Sequence, residues 1–319
     1  MRIAIMGAGG VGGYYGAKLA QAGHDVACIA RGEHLRAIQA RGMSLRGPDG
    51  ESMVAKVQAT DDPGTLAAVD VILFCVKLFD TEAAAQAIAP LHSKGGVCIS
   101  LQNGVDGQHR IGAVLGTDRI MGGLAYVSAL VESPGVIRYN SQSSSIRFGE
   151  ADGTLSERAV RFRDACIAAG VGAEVVSDIR AAQWNKFVGL ATNAALTSLV
   201  RQPTGVVYHD PELVALARAA FREGADVALA MGVALPDDIV EQQLAAHQAF
   251  PPQMYASMYH DLARGRPLEL ESLSGLIVRK GRELGVATPV HAMAYACLKP
   301  YVSGRRADQR LLRIPSASH

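Results

Sequence analysis

The first 31 residues constrain the fold more than any other stretch. A short apolar run, Arg2-Ile3-Ala4-Ile5-Met6, breaks into Gly7-Ala8-Gly9-Gly10-Val11-Gly12. A helical pattern then covers Val11 to Ala22, and a second apolar run ends at Ile29-Ala30-Arg31. Strand, glycine-rich turn, helix and strand in this order predict a Rossmann-type unit that binds a dinucleotide. Gly7 permits the tight turn out of the strand, Gly9 lets backbone amides approach a pyrophosphate, and Gly12 lets the helix pack on the strand. Ala8, Gly10 and Val11 complete the loop, which places the pyrophosphate at the N-terminus of the helix.

The residue at the end of the second strand selects the dinucleotide, because an acid there takes a ribose 2′-hydroxyl and an arginine pairs with a 2′-phosphate. That residue is Arg31. Its fork of donors suits a phosphate better than a neutral hydroxyl, so NADP(H) is expected over NAD(H). The competing reading of Arg31 is a solvated arginine that starts a helix. Asp25 lies nearer the spacing usual for an acid, but it precedes Val26-Ala27-Cys28-Ile29 and so opens the strand as a turn residue.

A chain of 319 residues suits two domains, and 49% hydrophobic with 19% charged residues is ample for a buried core. The net charge of +1 gives no general attraction to nucleic acid or to a membrane surface. The N-terminal apolar stretch is interrupted by glycines from Gly7 to Gly16, unlike a signal peptide, and no run long enough to span a bilayer follows. The cytoplasm is the expected location. The cysteines Cys28, Cys75, Cys98, Cys166 and Cys297 show no CxxC pair and read as reduced core residues. The histidines form no HExxH and no zinc-spaced cluster with cysteine, so no metal is expected and redox chemistry falls to the cofactor.

Val71 to Val76 and Val97 to Leu101 are continuous apolar runs of the kind buried on both faces of a parallel sheet, with a helical stretch from Thr81 to Ala89 between them. Gly47-Pro48-Asp49-Gly50 is a turn between short strands, and Met121 to Val131 with Val136 to Tyr139 predict further strands. After about Asp178 the pattern becomes helical over Arg180 to Val200, Pro211 to Met231, Asp237 to His247, Met254 to Arg264, Glu269 to Leu284 and Val290 to Tyr301. The fold class is therefore α/β, a doubly wound Rossmann-type domain over residues 1–178 followed by an all-α domain over 179–319. Ser303 to His319, with four arginines, reads as a solvated, fraying tail.

Ligands of an open parallel sheet lie beyond the carboxyl ends of its strands. Lys77 follows the Val71 run and Asn103-Gly104 follows the Val97 run, which places a cation and an amide where the nicotinamide end of a cofactor belongs. The structural alternatives are a snorkelling strand-end lysine and an Asn-Gly turn.

Several motifs together resemble the ketopantoate reductase (2-dehydropantoate 2-reductase) family over nearly the whole chain. They are the glycine loop with Arg31, Val76-Lys77, Leu101-Gln102-Asn103-Gly104-Val105, Trp184-Asn185-Lys186-Phe187, and Ala256-Ser257-Met258-Tyr259-His260-Asp261. Glu269 follows twelve residues after Ser257, and then come Gly275 and Gly285-Val286-Ala287-Thr288-Pro289. The resemblance implies a Rossmann domain joined to a helical domain, with NADPH and a 2-oxo acid in the cleft between them. It implies Lys186 as general acid, Glu269 holding lysine and substrate, Ser257 on the substrate carboxylate, and Lys77 and Asn103 lining the nicotinamide and substrate side.

The residues themselves support Lys186 independently: it is a basic residue between Trp184 and Phe187 in a largely apolar helix. Partial desolvation would lower its pKa toward neutrality, as a proton donor needs, and Glu269 is a natural counter-charge. A lysine at an exposed helix edge, an ordinary helix serine at 257 and a helix-start acid at 269 are the structural alternatives.

One departure bears on substrate. The resemblance implies asparagines four and eight residues after the lysine, and here those positions are Leu190 and Ala194. Asn193 is the nearest carboxamide and is kept as a substrate-binding candidate, although one position is about 100° of helix rotation. Glu271 and Ser274 likewise stand where an aspartate and an asparagine are expected. Such losses disturb specificity before chemistry. The expectation is thus NADPH-dependent reduction of a small 2-oxo carboxylate, with ketopantoate to pantoate as the best single case. The alternatives are a related β-hydroxyacid or opine-type dehydrogenase with another branched substrate, and a non-catalytic NADP(H) sensor. An alanine-rich helical domain with several apolar faces is compatible with a homodimer.

Overall fold

The computed structural model describes residues 1–140 and 144–304. The arginines of the expected tail, Arg305 onward, lie outside the described residues. The chain divides into two compact units, Met1–Gln183 and Trp184–His319.

The first unit opens with β1 (Arg2–Met6), α1 (Gly10–Gln21), β2 (Asp25–Ile29) and α2 (Gly32–Arg41). It continues with β3 (Met43–Arg46), β4 (Ser52–Ala55), β5 (Gln58–Thr60), β6 (Val71–Phe74), α3 (Thr81–His92), β7 (Val97–Ser100) and α4 (Gly107–Leu115). Then follow β8 (Ile120–Tyr126), β9 (Ala129–Ser133), β10 (Val136–Tyr139), β11 (Ser145–Gly149), α5 (Glu157–Ala168) and β12 (Gly172–Val175).

Eight of these strands form one sheet in the order β12-β11-β8-β7-β6-β1-β2-β5. β1 pairs in parallel with both β2 and β6, while β11 runs antiparallel to β8. Successive residues of β1 feed different cores: Ile3 and Ile5 pack with Leu73 and Ile99, and Ala4 and Met6 pack with Ile72, Phe74 and Cys98. Both faces of the sheet are covered, which is why its strands read as unbroken apolar runs. A smaller sheet, β4-β3-β10-β9, carries the Gly47–Gly50 turn between its antiparallel strands β3 and β4. The run expected over Met121 to Val131 is interrupted at residues 127 and 128, so β8 belongs to the large sheet and β9 to the small one.

The second unit contains most of α6 (Ile179–Val200), then α7 (Thr204–Val207), α8 (Pro211–Ala230), α9 (Ile239–Gln248), α10 (Ser257–Ala263), α11 (Ser274–Leu284) and α12 (Pro289–Leu298). Val188, Leu196, Tyr208, Phe221 and Leu244 form its core, with the Tyr208 and Phe221 rings stacked. The helix expected over Glu269 to Leu284 is instead a short 3₁₀ turn, Glu269–Ser272, and α11; Leu273, at φ −104° and ψ −104°, lies outside helical geometry and breaks the path. Glu223 is buried because its carboxylate accepts the Val290 and His291 amides at the start of α12.

All five cysteines are free. Cys28, Cys98 and Cys166 are buried and Cys75 partly so, but Cys297, expected in the core, is exposed because it falls on the outer side of α12. No helix among the described residues is long and apolar enough to cross a membrane.

Candidate active site

β1 is flanked by β2 on one side and β6 on the other, so the chain connections reverse direction there and the ends of β1 and β6 flank the crevice where such sheets bind ligands. Gly7 ends β1 with φ +94°, a conformation open to glycine at no steric cost. The amides of Gly7 and Ala8 both donate to the Ile29 carbonyl, at 3.3 and 3.2 Å, which pins the loop to the end of β2. A Cβ on Gly12 would collide with the Gly7 carbonyl, and one on Gly10 with the Ala129 carbonyl. Beside Gly9 nothing lies within 4 Å.

No side chain caps the start of α1 and no acid stands in its first turn. The loop therefore fits a dinucleotide pyrophosphate: it offers amides, the positive end of a helix and an open backbone face at Gly9. Val11 lies within the first turn of α1. Arg31 is exposed at the N-cap of α2, whose first turn also lacks a side-chain cap, so a guanidinium and a second helix N-terminus stand together at the end of β2. Asp25 is at the opposite end of β2 and pairs with Arg2 at 3.7 Å.

Lys77 and Asn103 are half-buried at the ends of β6 and β7. Directly before Asn103 stands a residue that local sequence pattern does not mark. Gln102 is 6% exposed, and its Nε2 donates to the Val76 carbonyl at 3.1 Å and to Thr81 Oγ1 at 2.9 Å. Thr81 Oγ1 donates to the Leu78 carbonyl at 2.8 Å, and Arg110 Nη2 donates to the same carbonyl at 2.8 Å while its guanidinium grips the Glu82 carboxylate. The turn that carries Lys77 is thus held by a buried carboxamide, a hydroxyl and an arginine. The only sequence signal was the place of Gln102 beside Asn103.

In the helical unit, Trp184 and Phe187 are buried and meet edge to face at 5.3 Å between ring centroids. Asn185 accepts two hydrogen bonds from Gln243 Nε2, which ties α6 to α9. These anchors leave Lys186 half-buried in the second turn of α6, and desolvation pulls its pKa down to about 8. Glu269 is 8% exposed at the start of its 3₁₀ turn. A lysine tuned this way holds a proton at neutral pH and releases it more readily than an exposed one.

The stripe beyond Lys186 is apolar, with Leu190 partly buried and Ala194 buried. Asn193 is 6% exposed, and its Oδ1 accepts from Tyr208 Oη at 3.2 Å, so this carboxamide is engaged in the interior of the helical unit. Ser257 is the exposed first residue of α10. Lys77, Asn103 and the glycine loop belong to the first unit, and Lys186, Asn193, Ser257 and Glu269 to the second.

Two family models match the chain: ketopantoate reductase PanE/ApbA over residues 3–153, and ketopantoate reductase PanE/ApbA C terminal over residues 178–302. A 2-dehydropantoate 2-reductase of Mesorhizobium japonicum is 32% identical over 310 residues, covering 91% of this chain and 94% of the relative. The crystal structure of a PanE/ApbA family ketopantoate reductase from Ralstonia eutropha superposes with a TM-score of 0.87 at 34% identity, covering 94% of this chain and 98% of the other. The complex of D-mandelate dehydrogenase with NADH superposes with a TM-score of 0.83 at 25% identity, over 94% and 98% of the two chains.

Proposed function

The chain belongs to the ketopantoate reductase family and is an oxidoreductase of the 2-dehydropantoate 2-reductase type with a nicotinamide cofactor, and from this premise we propose that it reduces ketopantoate to pantoate with NADPH. The observation that carries the proposal is Lys186, a half-buried ammonium with its pKa drawn down to about 8. Reduction of a 2-oxo acid adds a hydride to the carbonyl carbon and a proton to the carbonyl oxygen. The bound nicotinamide supplies the hydride. Lys186 Nζ supplies the proton as negative charge develops on that oxygen, so the alkoxide is never left unpaired. Glu269, buried in the same unit, holds the lysine and the substrate hydroxyl in register, and Ser257 receives the substrate carboxylate. Lys77 and Asn103 line the nicotinamide side, and Arg31 at the uncapped start of α2 favours the 2′-phosphate of NADPH. The named reductase relatives favour catalysis over a sensing role.

A second substrate reading rests on the apolar stripe Leu190 and Ala194 with Asn193 turned to Tyr208. This surface suits a 2-oxo acid whose side chain is branched or aromatic and lacks a hydroxyl, a reading in keeping with the likeness to D-mandelate dehydrogenase. The test is NADPH oxidation with ketopantoate beside pyruvate, 2-oxoisovalerate and phenylglyoxylate, compared by kcat/KM. Preference for ketopantoate supports the first reading and preference for phenylglyoxylate or 2-oxoisovalerate the second. No turnover with any of them by protein that binds NADPH overturns both.

A further inference from the structure

His34 stands three residues after Arg31 in the first turn of α2, and its ring is held from both sides. Nε2 lies 2.8 Å from the Ala8 carbonyl oxygen, and Nδ1 lies 3.0 Å from the backbone nitrogen of Gly135 in the turn between β9 and β10. A backbone N–H can only donate, so Nδ1 is the bare nitrogen; a carbonyl can only accept, so Nε2 carries the proton. The two partners thereby fix one neutral tautomer. Gly135 is itself seated on α2, since a Cβ there would press on Ala37 at 3.0 Å. One imidazole therefore joins the glycine loop, α2 and the small sheet.

We propose that His34 is a positioning residue for the dinucleotide: by holding the Ala8 carbonyl it aims the Gly9 amide at the pyrophosphate, and through α2 it locks that amide in register with Arg31.

One peptide plane, between Ala8 and Gly9, links the ring to the pyrophosphate. In a trans peptide the C=O of one residue and the N–H of the next point in opposite directions, and the described residues contain no cis bond. With the Ala8 carbonyl directed to His34, the Gly9 N–H is directed the other way, and the backbone there borders open space with nothing within 4 Å of a Cβ on Gly9. The Ala8 N–H is already committed to the Ile29 carbonyl, so the loop is fastened on its inner side at two successive points. Without the ring little would resist rotation of the plane between Ala8 and Gly9, because glycine on one side accepts a flipped plane at small steric cost. A loop that samples flipped planes binds a pyrophosphate more weakly, since only part of its population presents the amide.

The inference rests on the nucleotide-binding reading above, and its test separates the two. NADPH and NADH are titrated into the full-length wild type, His34→Ala, His34→Gln and Arg31→Ala by nucleotide fluorescence. Ring-nitrogen NMR of the free wild type reports the tautomer. A glutamine can accept from Gly135 with Oε1 and donate to Ala8 with Nε2, so it should restore most of what alanine loses. His34→Ala is expected to weaken both nucleotides by about 10- to 100-fold, the effect of an orphaned carbonyl in a binding loop, with kcat at saturating NADPH within about threefold of wild type. Arg31→Ala should instead weaken NADPH selectively. The free protein should show a protonated Nε2 and a bare Nδ1 at His34. Binding by His34→Ala within twofold of wild type, a glutamine variant as weak as alanine, or a protonated Nδ1 overturns the assignment and leaves the nucleotide site standing. Wild type that binds neither nucleotide overturns the site and the assignment together.

Discussion

The carboxamide of Gln102 donates to Thr81 Oγ1 at 2.9 Å, so a buried side chain from the end of β7 fastens the turn after β6. That turn carries Lys77, and Asn103 follows Gln102 directly. Gln102→Leu fills the space but removes the donor to the Val76 carbonyl and to Thr81 Oγ1, which keeps its own bond to the Leu78 carbonyl. The cost is about 1–3 kcal/mol of stability. If the latch positions Lys77 and Asn103, kcat/KM for the 2-oxo acid falls about 10- to 100-fold while NADPH affinity, set at the other end of the dinucleotide, changes little. A lowered Tm with unchanged kcat/KM would assign Gln102 to stability alone.

Lys186 links activity and stability with opposite signs. In its proposed role as general acid it must enter the reaction protonated, so kcat is expected to decline as pH rises through about 8. Its folded pKa lies below the unfolded value of 10.5, so the unfolded chain binds the proton more tightly and burial of the ammonium costs stability at neutral pH. That cost is present below about pH 8 and fades as pH rises toward 10.5. Lys186→Met should therefore lower turnover by about 100- to 10,000-fold, bind NADPH as wild type does, and gain on the order of 1–3 kcal/mol at pH 7. Thermal melts beside single-turnover rates check both halves; retained turnover in the methionine variant would remove Lys186 from the chemistry.

Arg31 offers a test of cofactor choice that leaves the loop untouched. It is exposed at the start of α2, so its removal disturbs no core packing. Arg31→Ala should weaken NADPH by about 10- to 100-fold, the loss of a charge-assisted bidentate pair, and NADH by less than about threefold. Equal weakening of both, read by isothermal titration, would show that the 2′-phosphate is not what Arg31 meets.

The parallel strands, the glycine loop and most of the helices were legible because each rests on local pattern: unbroken apolar runs for a sheet buried on both faces, glycine for a positive φ, and 3.6-residue spacing for α8 and α9. Lys186 was legible as a cation between two aromatic residues. Gln102 and His34 were not, because their roles come from partners 21 to 101 residues away in the chain, which no local spacing encodes. The same holds for the break at Leu273, a backbone conformation inside what reads as a continuous amphipathic helix. Asn193 shows the opposite limit: its rotation from Ala194 was computable, but its engagement with Tyr208 depends on how α6 and the segment after α7 pack.

His291 sets a pH window for the helical unit. It is fully buried, with Nδ1 3.2 Å from Ser274 Oγ and Nε2 3.2 Å from the Ala220 carbonyl, and burial pushes its pKa down to about 4. A histidine depressed in the folded state leaves the unfolded chain binding more protons between the two pKa values. Its contribution is whole above about 6.5 and is lost as pH falls from there toward 4. At pH 5 the loss amounts to about 2 kcal/mol. Glu223, whose carboxyl is raised by burial, titrates with the opposite slope and is common to any variant at position 291. His291→Gln keeps much of the volume and removes the titration. Urea unfolding at pH 7 and pH 5 should then show a wild type that loses stability between the two and a glutamine variant, less stable at pH 7, that loses about 2 kcal/mol less. Equal losses in the two proteins would place the acid sensitivity elsewhere, with His247 next in line because burial lowers its pKa as well.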